Sequence, residues 1–453
     1  MKAKVKDPNR IRFGEYISYF ITNMGNIPLM LLLSSFFLIF YTDVVGLDPE
    51  KIATLFLISK VMDGISDPIM GFLLDRFPRT KMGKFRPMLI FGVIVCCINY
   101  ILMWFGAVWA PVGKYVIVYI TYLLLGWTFD IMDISLNGML PVMTDDEKER
   151  GKLSLVKMLG YTIGGMVVSI GGPIIVANGT LQEYYILIFG AVAVVLIFSV
   201  GGILGVKERV KFEATEEAKY SLKELFSFFR LRPVLTLFLS CIIMTVGMNI
   251  SGANTYYYTY VMGDLTLMAA VTGISSGVMM PAMLLAPIIA NKIGKKRLFV
   301  FGLGLAGVGT LIRIFAPTSL TMAYIGSAVM GIGTGMSTPL MYMIQADNTS
   351  YVEYKTGKHT EAAIASLSSF ITKVGQGVAG ALPGYVLAWT GFVANAQTQE
   401  PAVISGIIAC VITIPGILLI AAAVLFGFGY NLSKKDLAEI SVALKEKHEK
   451  MEA

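Results

Sequence analysis

Long apolar runs alternate with short polar segments along almost the whole chain. A helix that crosses a bilayer needs about 20 mainly apolar residues, and these runs reach that length. The pattern therefore predicts an all-α membrane protein with twelve transmembrane helices. The runs lie at about 14–41, 48–75, 87–108, 113–141, 153–177 and 183–206, and then at 233–262, 265–290, 297–316, 319–345, 361–390 and 401–429.

A hydrophilic stretch separates the first six runs from the last six, which predicts two six-helix bundles. The predicted units are an N-terminal bundle over 1–206, a cytoplasmic linker over 207–232, a C-terminal bundle over 233–430 and a cytoplasmic tail over 431–453. Apolar residues recur at helical spacing within 221–230, which predicts an amphipathic interfacial helix in the linker. A flexible linker is the alternative interpretation.

A short repeat indicates that the two halves are related. The segments Gly71-Phe-Leu-Leu-Asp-Arg76 and Lys81-Met-Gly-Lys-Phe-Arg86 are echoed by Ala286-Pro-Ile-Ile-Ala-Asn-Lys-Ile-Gly-Lys-Lys-Arg297. Each copy joins the second and third predicted helices of its half. Parallel six-helix halves with a solute site near the membrane midplane are a standard plan of secondary transporters. The repeat therefore favours a carrier.

Composition and charge narrow the class of protein further. The chain is 55% hydrophobic and 15% charged, whereas soluble proteins carry about 25% charged residues. The formal net charge is +7, but Lys and Arg concentrate in the N-terminal segment and in alternate loops, as the positive-inside rule expects. We predict a multi-pass protein of the cell (inner or plasma) membrane with both termini in the cytoplasm. Its surroundings are lipid, and neither nucleic acid nor an obligate protein partner is expected.

The sequence offers no convincing enzyme motif. It contains no P-loop, zinc motif or Rossmann fingerprint, and Gly273-Ile-Ser-Ser-Gly277, which has the form of a hydrolase nucleophile elbow, lies in an apolar run. The four cysteines also lie in apolar runs, where they behave as small hydrophobic residues. We expect no enzymatic activity, no cofactor and no metal beyond a coupling cation.

Ionisable residues inside two apolar runs are the first candidates for function. The second run carries Lys60, Asp63 and Asp67 on one helical face, and the fourth carries Asp130 and Asp133. A charge at the bilayer centre costs about 3 kcal/mol on insertion scales, so these groups should face the bundle interior or a water path. Because neighbouring carboxylates need a shared proton or a cation, we predict a cation site. Structural pairing of Asp63 and Asp67 with lysines is the alternative.

Lys373 is a further charge within an apolar run. No acidic residue lies within one helical turn of it, so its partner must be a solute or a group on another helix, for which Asp133 is the candidate. The alternative is a lysine whose stem extends to the membrane interface.

Five longer motifs are distributed over the chain, four in its first half and one in its second half. They are Phe40-Tyr-Thr-Asp-Val-Val-Gly-Leu47, Asp63-Gly-Ile-Ser-Asp-Pro-Ile-Met-Gly71, Lys81-Met-Gly-Lys-Phe-Arg-Pro87, Pro141-Val-Met-Thr-Asp-Asp-Glu-Lys-Glu-Arg150 and Ala346-Asp-Asn-Thr-Ser-Tyr-Val-Glu-Tyr-Lys-Thr-Gly357. Through them the chain resembles the major facilitator superfamily and, within it, the glycoside-pentoside-hexuronide:cation symporters.

The resemblance implies a cation site built from Asp63, Asp67 and Asp133, with Lys60 at a position that is often basic in the family. Asp130 stands where the family usually has a hydroxyl residue. Because Asp63 and Asp67 together would supply an oxygen cage, we expect Na⁺ as the coupling ion. A proton is the alternative if Asp130 joins the pocket.

The resemblance also implies a solute site and a gating loop. Asn26 lies beside the position of a first-helix carboxylate in the family, and Asn137 stands at the position of an aromatic residue that stacks on the sugar, so galactoside recognition is not supported. The implied solute-site residues are Asp133, Lys157, Lys373, Asn26 and Asn137. The implied gating-loop residues are Asp75, Arg76, Gly83, Lys84 and Arg86.

These observations predict a secondary active transporter for a small-molecule solute and a monovalent cation. The leading hypothesis is symport of a glycoside, sugar or related small polar solute by alternating access of the two bundles. One alternative is a carrier of a non-sugar solute, either an amphiphile or an organic anion. A second alternative is a membrane sensor that keeps the fold without transporting.

Overall fold

The computed structural model describes residues 11–144, 146–210, 227–356, 361–396, 398–433, 436–440 and 442–444. Within these ranges the regular secondary structure is helical, and the one β-bridge joins Thr80 to Gly83 in a tight turn. The expected all-α fold is confirmed. The chain divides into two compact units, one containing helices α1–α8 and the other almost all of α9–α16, as bounded below.

The N-terminal unit begins with a broken helix. Pro28 follows Asn26 closely, and because proline lacks an amide hydrogen the first apolar run divides there into two helices. The helices of this unit are α1 (Phe13–Asn26), α2 (Pro28–Ile39), α3 (Pro49–Asp75), α4 (Phe85–Trp109), α5 (Lys114–Met143), α6 (Glu147–Ile175), α7 (Leu181–Val195) and α8 (Gly201–Leu204). The principal packing pairs are α4 with α5, α1 with α6 and α3 with α5.

The C-terminal unit repeats this plan with its own interruptions. Its helices are α9 (Arg232–Asn249), α10 (Gly252–Tyr256), α11 (Leu267–Ile293), α12 (Lys295–Leu311), α13 (Leu320–Thr356), α14 (Glu361–Thr390), α15 (Pro401–Ile408) and α16 (Ile414–Gly429). α12 packs against α13 and α16, and α9 packs against α14 and α16. Small residues allow the closest of these contacts, since a Cβ at Gly333 would lie 2.4 Å from the backbone nitrogen of Ala306.

Nine helical segments within the described ranges are long and apolar enough to cross a membrane. The remaining long helices are α3, α13 and α14, with 27, 37 and 30 residues. α3 carries the charged residues of the second apolar run. The count of twelve spans stays a prediction. Of the predicted amphipathic segment 221–230, residues 221–226 lie outside the described part of the chain. Phe228–Arg230 form a 3₁₀ turn.

Two π-helical turns reveal a repeat that the sequence analysis did not use. Phe40–Val44 continues α2, and Tyr257–Val261 continues α10. The sequences Phe-Tyr-Thr-Asp-Val-Val-Gly and Tyr-Tyr-Thr-Tyr-Val-Met-Gly align without a gap and are identical at four of seven positions. Both end at a glycine in the left-handed region, Gly46 with φ +77° and Gly263 with φ +76°. The two halves therefore share this local geometry as well as the loop motif.

Candidate functional site

Asp133 accepts hydrogen bonds from two asparagines, one of which links it to a lysine. Asn26 Nδ2 donates to Asp133 Oδ1 at 3.3 Å, and Asn137 Nδ2 donates to Asp133 Oδ2 at 2.8 Å. Asn137 Oδ1 accepts a hydrogen bond from Lys157 Nζ. We call these four residues the Asp133 network. The structure thus brings four of the five predicted solute-site residues together from three helices.

The local structure explains how these side chains meet. Asn137 follows Asp133 by four residues on α5, so the two share a helical face. Asn26 is buried and ends α1 at the break caused by Pro28. Because α6 packs along α1, Lys157 reaches the same region from a third helix.

The Asn137 amide separates a negative from a positive charge. Its nitrogen faces the Asp133 carboxylate and its oxygen faces the Lys157 ammonium. In the part of the chain that the structure describes, Lys157 forms no ion pair within 4.0 Å, and its Nζ lies 5.7 Å from the centroid of the Tyr161 ring. Both charges are therefore linked through a neutral group that can also bind a ligand.

A second cluster lies where α3 packs against α5. Lys60 Nζ pairs with Asp63 Oδ2 at 2.7 Å, and the two side chains are 28% and 17% exposed. A Cβ built on Gly126 of α5 would lie 2.7 Å from Asp63 Oδ1. The glycine therefore lets the carboxylate on α3 approach the backbone of α5.

Asp130 is joined to α3 by Ser66, a residue that the sequence analysis did not single out. The buried Ser66 hydroxyl donates to Asp130 Oδ2 at 3.1 Å. Among the described residues, Asp63, Asp133 and Lys60 are charged groups that act electrostatically on the Asp130 carboxylate. The signal for Ser66 was its spacing, since it follows Asp63 by three residues on the same helical face.

The described charges of the two clusters do not balance. Asp63, Asp130 and Asp133 bring three negative charges, and Lys60 and Lys157 bring two positive charges. In the described part of the chain, no three acidic, histidine or cysteine side chains are spaced to hold a metal ion.

Two predicted site residues remain, one in each compact unit. Asp67 is within the backbone of α3, but its side chain is outside the described part of the structure. Lys373 lies on α14 in the C-terminal unit and is half-buried.

The predicted gating loop is held by a residue that the sequence analysis missed. The Glu208 carboxylate accepts hydrogen bonds from the backbone N–H groups of Lys84 and Arg86 at 2.8 and 2.9 Å. The Arg86 guanidinium donates in return to the carbonyl oxygens of Ile203 and Leu204 at 3.3 and 2.9 Å. The start of α4 and the end of α8 therefore cap each other.

The other loop residues contribute less to this contact. Arg76 is exposed, and the side chain of Asp75 is outside the described part of the structure. Glu208 directly follows the sixth apolar run. A carboxylate at that point can stabilise the N-terminus of a neighbouring helix, but its partner helix cannot be identified from spacing.

Comparisons with known proteins give a consistent result. A family described as MFS/sugar transport protein matches residues 18–434. An uncharacterized symporter, YnaJ, from Bacillus subtilis (strain 168) is 31% identical over 419 residues, covering 89% of this chain and 88% of that protein. An isoprimeverose transporter from Lactiplantibacillus pentosus is 29% identical over 456 residues, covering 97% and 93% of the two chains.

A solved structure is similar over nearly the whole chain. It is that of a bacterial homologue of the human lysosomal transporter Spinster in an inward-facing, unoccupied conformation. The TM-score is 0.66 at 14% sequence identity, and the match covers 94% of this chain and 97% of that one. At this identity the likeness shows the fold alone.

Proposed function

We propose that this chain, which belongs to the MFS/sugar transport protein family, moves a sugar, glycoside or related small polar solute by cation-coupled symport. Membership follows from the family match over residues 18–434 and from the symporter that is 31% identical. The chain is a multi-pass membrane transporter with the all-α major facilitator fold, and it is not an enzyme.

The Asp133 network is the observation that carries the solute proposal. A carboxylate, two amides and an ammonium lie in one hydrogen-bonded chain. Such groups match the hydroxyls of a sugar, because a hydroxyl both donates and accepts. The isoprimeverose transporter among the relatives supports a glycoside. Asn137 would present its amide to the solute where related carriers use an aromatic ring.

The charge deficit supports a monovalent coupling ion. Three described carboxylates face two ammonium groups, so one positive charge is missing. We propose that the ion binds between α3 and α5, near Asp63 and Asp130, with Asp67 as an additional ligand. Na⁺ is the first candidate because carboxylate and hydroxyl oxygens suit a hard cation. A proton is the second candidate, favoured by the hydrogen bond that joins Asp130 to Ser66.

Coupling would arise because Asp133 takes part in both sites. It belongs to the solute network and is also one of the charges that act on Asp130. An ion that compensates Asp130 changes the field at Asp133, and a solute that binds Asp133 changes the field at Asp130. Each ligand then favours the conformation that the other prefers, and the effect is reciprocal.

The proposed transport cycle involves both bundles and a defined orientation in the membrane. The two six-helix bundles would alternate access to the solute by rocking, with the loop around Gly83 holding one end of the N-terminal bundle. Both termini would lie in the cytoplasm of a cell (inner or plasma) membrane, because the Lys and Arg excess lies on that side. A reporter fused after Ala453 that is active only in the periplasm would overturn this topology.

An anionic solute is the second candidate for the same site. Lys157 is bound by an amide oxygen instead of a carboxylate, so its charge is not neutralised by direct contact among the described residues. A carboxylate or sulfonate on the solute could provide that contact. This would extend the range from neutral glycosides to sugar acids or other organic anions.

Transport by purified protein in proteoliposomes tests the proposal. Vesicles with an imposed Na⁺ gradient or pH gradient are supplied with labelled isoprimeverose, a neutral monosaccharide or a hexuronate. We expect accumulation of at least one sugar under one of the gradients and none in protein-free vesicles. Absence of exchange for every solute under both gradients would favour the non-transporting sensor.

A further inference from the structure

Arg313 is a buried cation that belongs to neither cluster described above. It lies in the 3₁₀ turn Ile312–Phe315 that follows α12. Only 5% of Arg313 is exposed, while the next two residues, Ile314 and Phe315, are 42% and 83% exposed. The turn therefore directs this one side chain inward. Since a guanidinium stays protonated in proteins, its charge must be compensated in the folded state.

The packing around the arginine stem makes room for it. A Cβ built on Gly326 of α13 would lie 2.6 Å from Arg313 Cγ and 3.0 Å from its Cδ. Any larger residue at position 326 would clash with the side chain of Arg313. The burial of Arg313 is thus part of how α12 and α13 fit together.

The surroundings of the guanidinium are aromatic. Arg313 Cζ lies 5.0 Å from the centroid of the Tyr257 ring, and the Tyr258 side chain is close enough to interact electrostatically with the guanidinium. A ring face attracts a cation through its quadrupole but carries no net negative charge. No carboxylate lies within 4.0 Å of Arg313 in the ranges that the structure covers.

The unsatisfied donors lie on one edge of the guanidinium. Arg313 Nε and Nη2 are both buried and have no hydrogen-bond partner among the described residues. These two nitrogens present nearly parallel N–H bonds, the arrangement that holds two oxygens of one carboxylate or phosphate. A buried donor without a partner is costly, and more so when it is charged. The free edge therefore indicates the shape of the partner as well as its charge.

We propose that Arg313 is the centre of a small-oxyanion site at the turn between α12 and α13. The Nε–Nη2 edge binds a carboxylate-sized anion through two hydrogen bonds, and Tyr257 and Tyr258 flank the guanidinium. Both nitrogens are sealed from solvent, so the anion must be small and the side chains around this edge must shift to admit it. The site is separate from the Asp133 network and does not depend on the proposed symport.

Thermal unfolding of the full purified chain in detergent tests this site. Formate is the probe, chloride is the comparison anion, and Na⁺ and ionic strength are held constant. We expect the wild-type midpoint to rise with formate and to saturate, because a ligand of the folded state stabilises it. Chloride should not reproduce the rise, since a single spherical ion cannot use both donors equally well.

Two variants distinguish the contribution of the Nε–Nη2 edge of Arg313 from that of its positive charge. Arg313→Lys keeps the charge but loses the fork, and we expect a half-saturating formate concentration at least about tenfold higher. Arg313→Met should remove the formate response. Arg297→Met, at an exposed arginine on α12, is the matched control and should respond like wild type.

Several results would overturn the proposal. These are a wild-type midpoint that does not depend on formate, an equal response to chloride, or a response that both Arg313 variants retain. If Arg313→Met does not fold, the comparison of Arg313→Lys with wild type still decides the matter. Because the readout is stability, a failure of the symport proposal would leave this result unaffected.

Discussion

The carboxylate of Glu208 occupies the space that a side chain at Gly83 would need. A Cβ built on Gly83 would lie 2.3 Å from Glu208 Cδ, and the backbone of Gly83 has φ +106°. Glycine is therefore required at this position both by its backbone conformation and by the neighbouring carboxylate. Through this contact Glu208 caps the first turn of α4, whose N–H groups lack partners within the helix.

Gly83→Ala should destabilise the protein more than Gly294→Ala does. Both glycines have positive φ, but nothing lies within 4 Å of a Cβ at Gly294. The control should cost about 1–3 kcal/mol, because Gly294 has φ +94° and ψ 142°, a backbone conformation that other residues rarely adopt. Gly83→Ala should cost about 1–3 kcal/mol more, because Glu208 loses charge-assisted hydrogen bonds. Unfolding of the purified variants measures both effects, and equal losses would contradict the cap.

Lys157→Gln should reduce solute uptake at least about tenfold with little change in membrane insertion. The substitution removes the charge that binds Asn137, and a hydrogen bond to a charged group contributes about 1.5–3 kcal/mol. Lys152→Gln on the same helix is the control, because Lys152 is 62% exposed and, among the described residues, forms an ion pair with Glu149. Uptake assays at equal protein levels compare them. Similar uptake in both variants would remove Lys157 from the solute site.

Gly126→Ala should weaken the dependence of transport on the cation. The added Cβ would lie 2.7 Å from Asp63 Oδ1 and would push that carboxylate away from α5. We expect the cation concentration for half-maximal uptake to rise about tenfold, as a loss of about 1.4 kcal/mol implies. Gly171→Ala in α6 is the control, since nothing lies within 4 Å of its Cβ. An unchanged cation response in Gly126→Ala would argue against a cation near Asp63.

The coupling ion can be tested at Asp63 and Asp130 separately. If Na⁺ binds near Asp63, Asp63→Asn should abolish stimulation of uptake by a Na⁺ gradient. If a proton on Asp130 is the coupling ion, Asp130→Asn should abolish uptake driven by a pH gradient, and Ser66→Ala should alter it. Proteoliposomes with one imposed gradient at a time measure each response. If uptake by the wild-type protein is unchanged by a Na⁺ gradient but is driven by a pH gradient, the sodium proposal is refuted.

Lys373→Ala should abolish solute accumulation while leaving insertion into the membrane intact. Lys373 is half-buried on α14 in the C-terminal unit, whereas the carboxylate clusters belong to the N-terminal unit. A carrier needs a group in each half that responds to the solute. Lys373→Arg, which keeps the charge, is the matched variant and should retain partial activity. Full accumulation by Lys373→Ala would mean that the lysine only extends to the interface.

The amino-acid sequence by itself determined the class of protein and most of its helices. Apolar runs of spanning length predict helices because a bilayer leaves no partner for exposed backbone groups. Charges inside such runs marked Asp63, Asp130 and Asp133 because their burial is costly. Spacing along one helix was enough to place Lys60, Asp63 and Asp67 on one face.

The tertiary structure decided which groups on different helices meet. Asn137 was predicted as a departure from the family, and only the packing of α5 beside α1 and α6 showed its amide between a carboxylate and an ammonium. Ser66, Glu208 and Arg313 have partners far away in sequence, so local spacing could not identify those partners. Helical spacing specifies the face on which a side chain lies. The residue opposite that face depends on the rotation, offset and crossing angle of the two helices. Side-chain packing over the whole length of both helices determines these quantities.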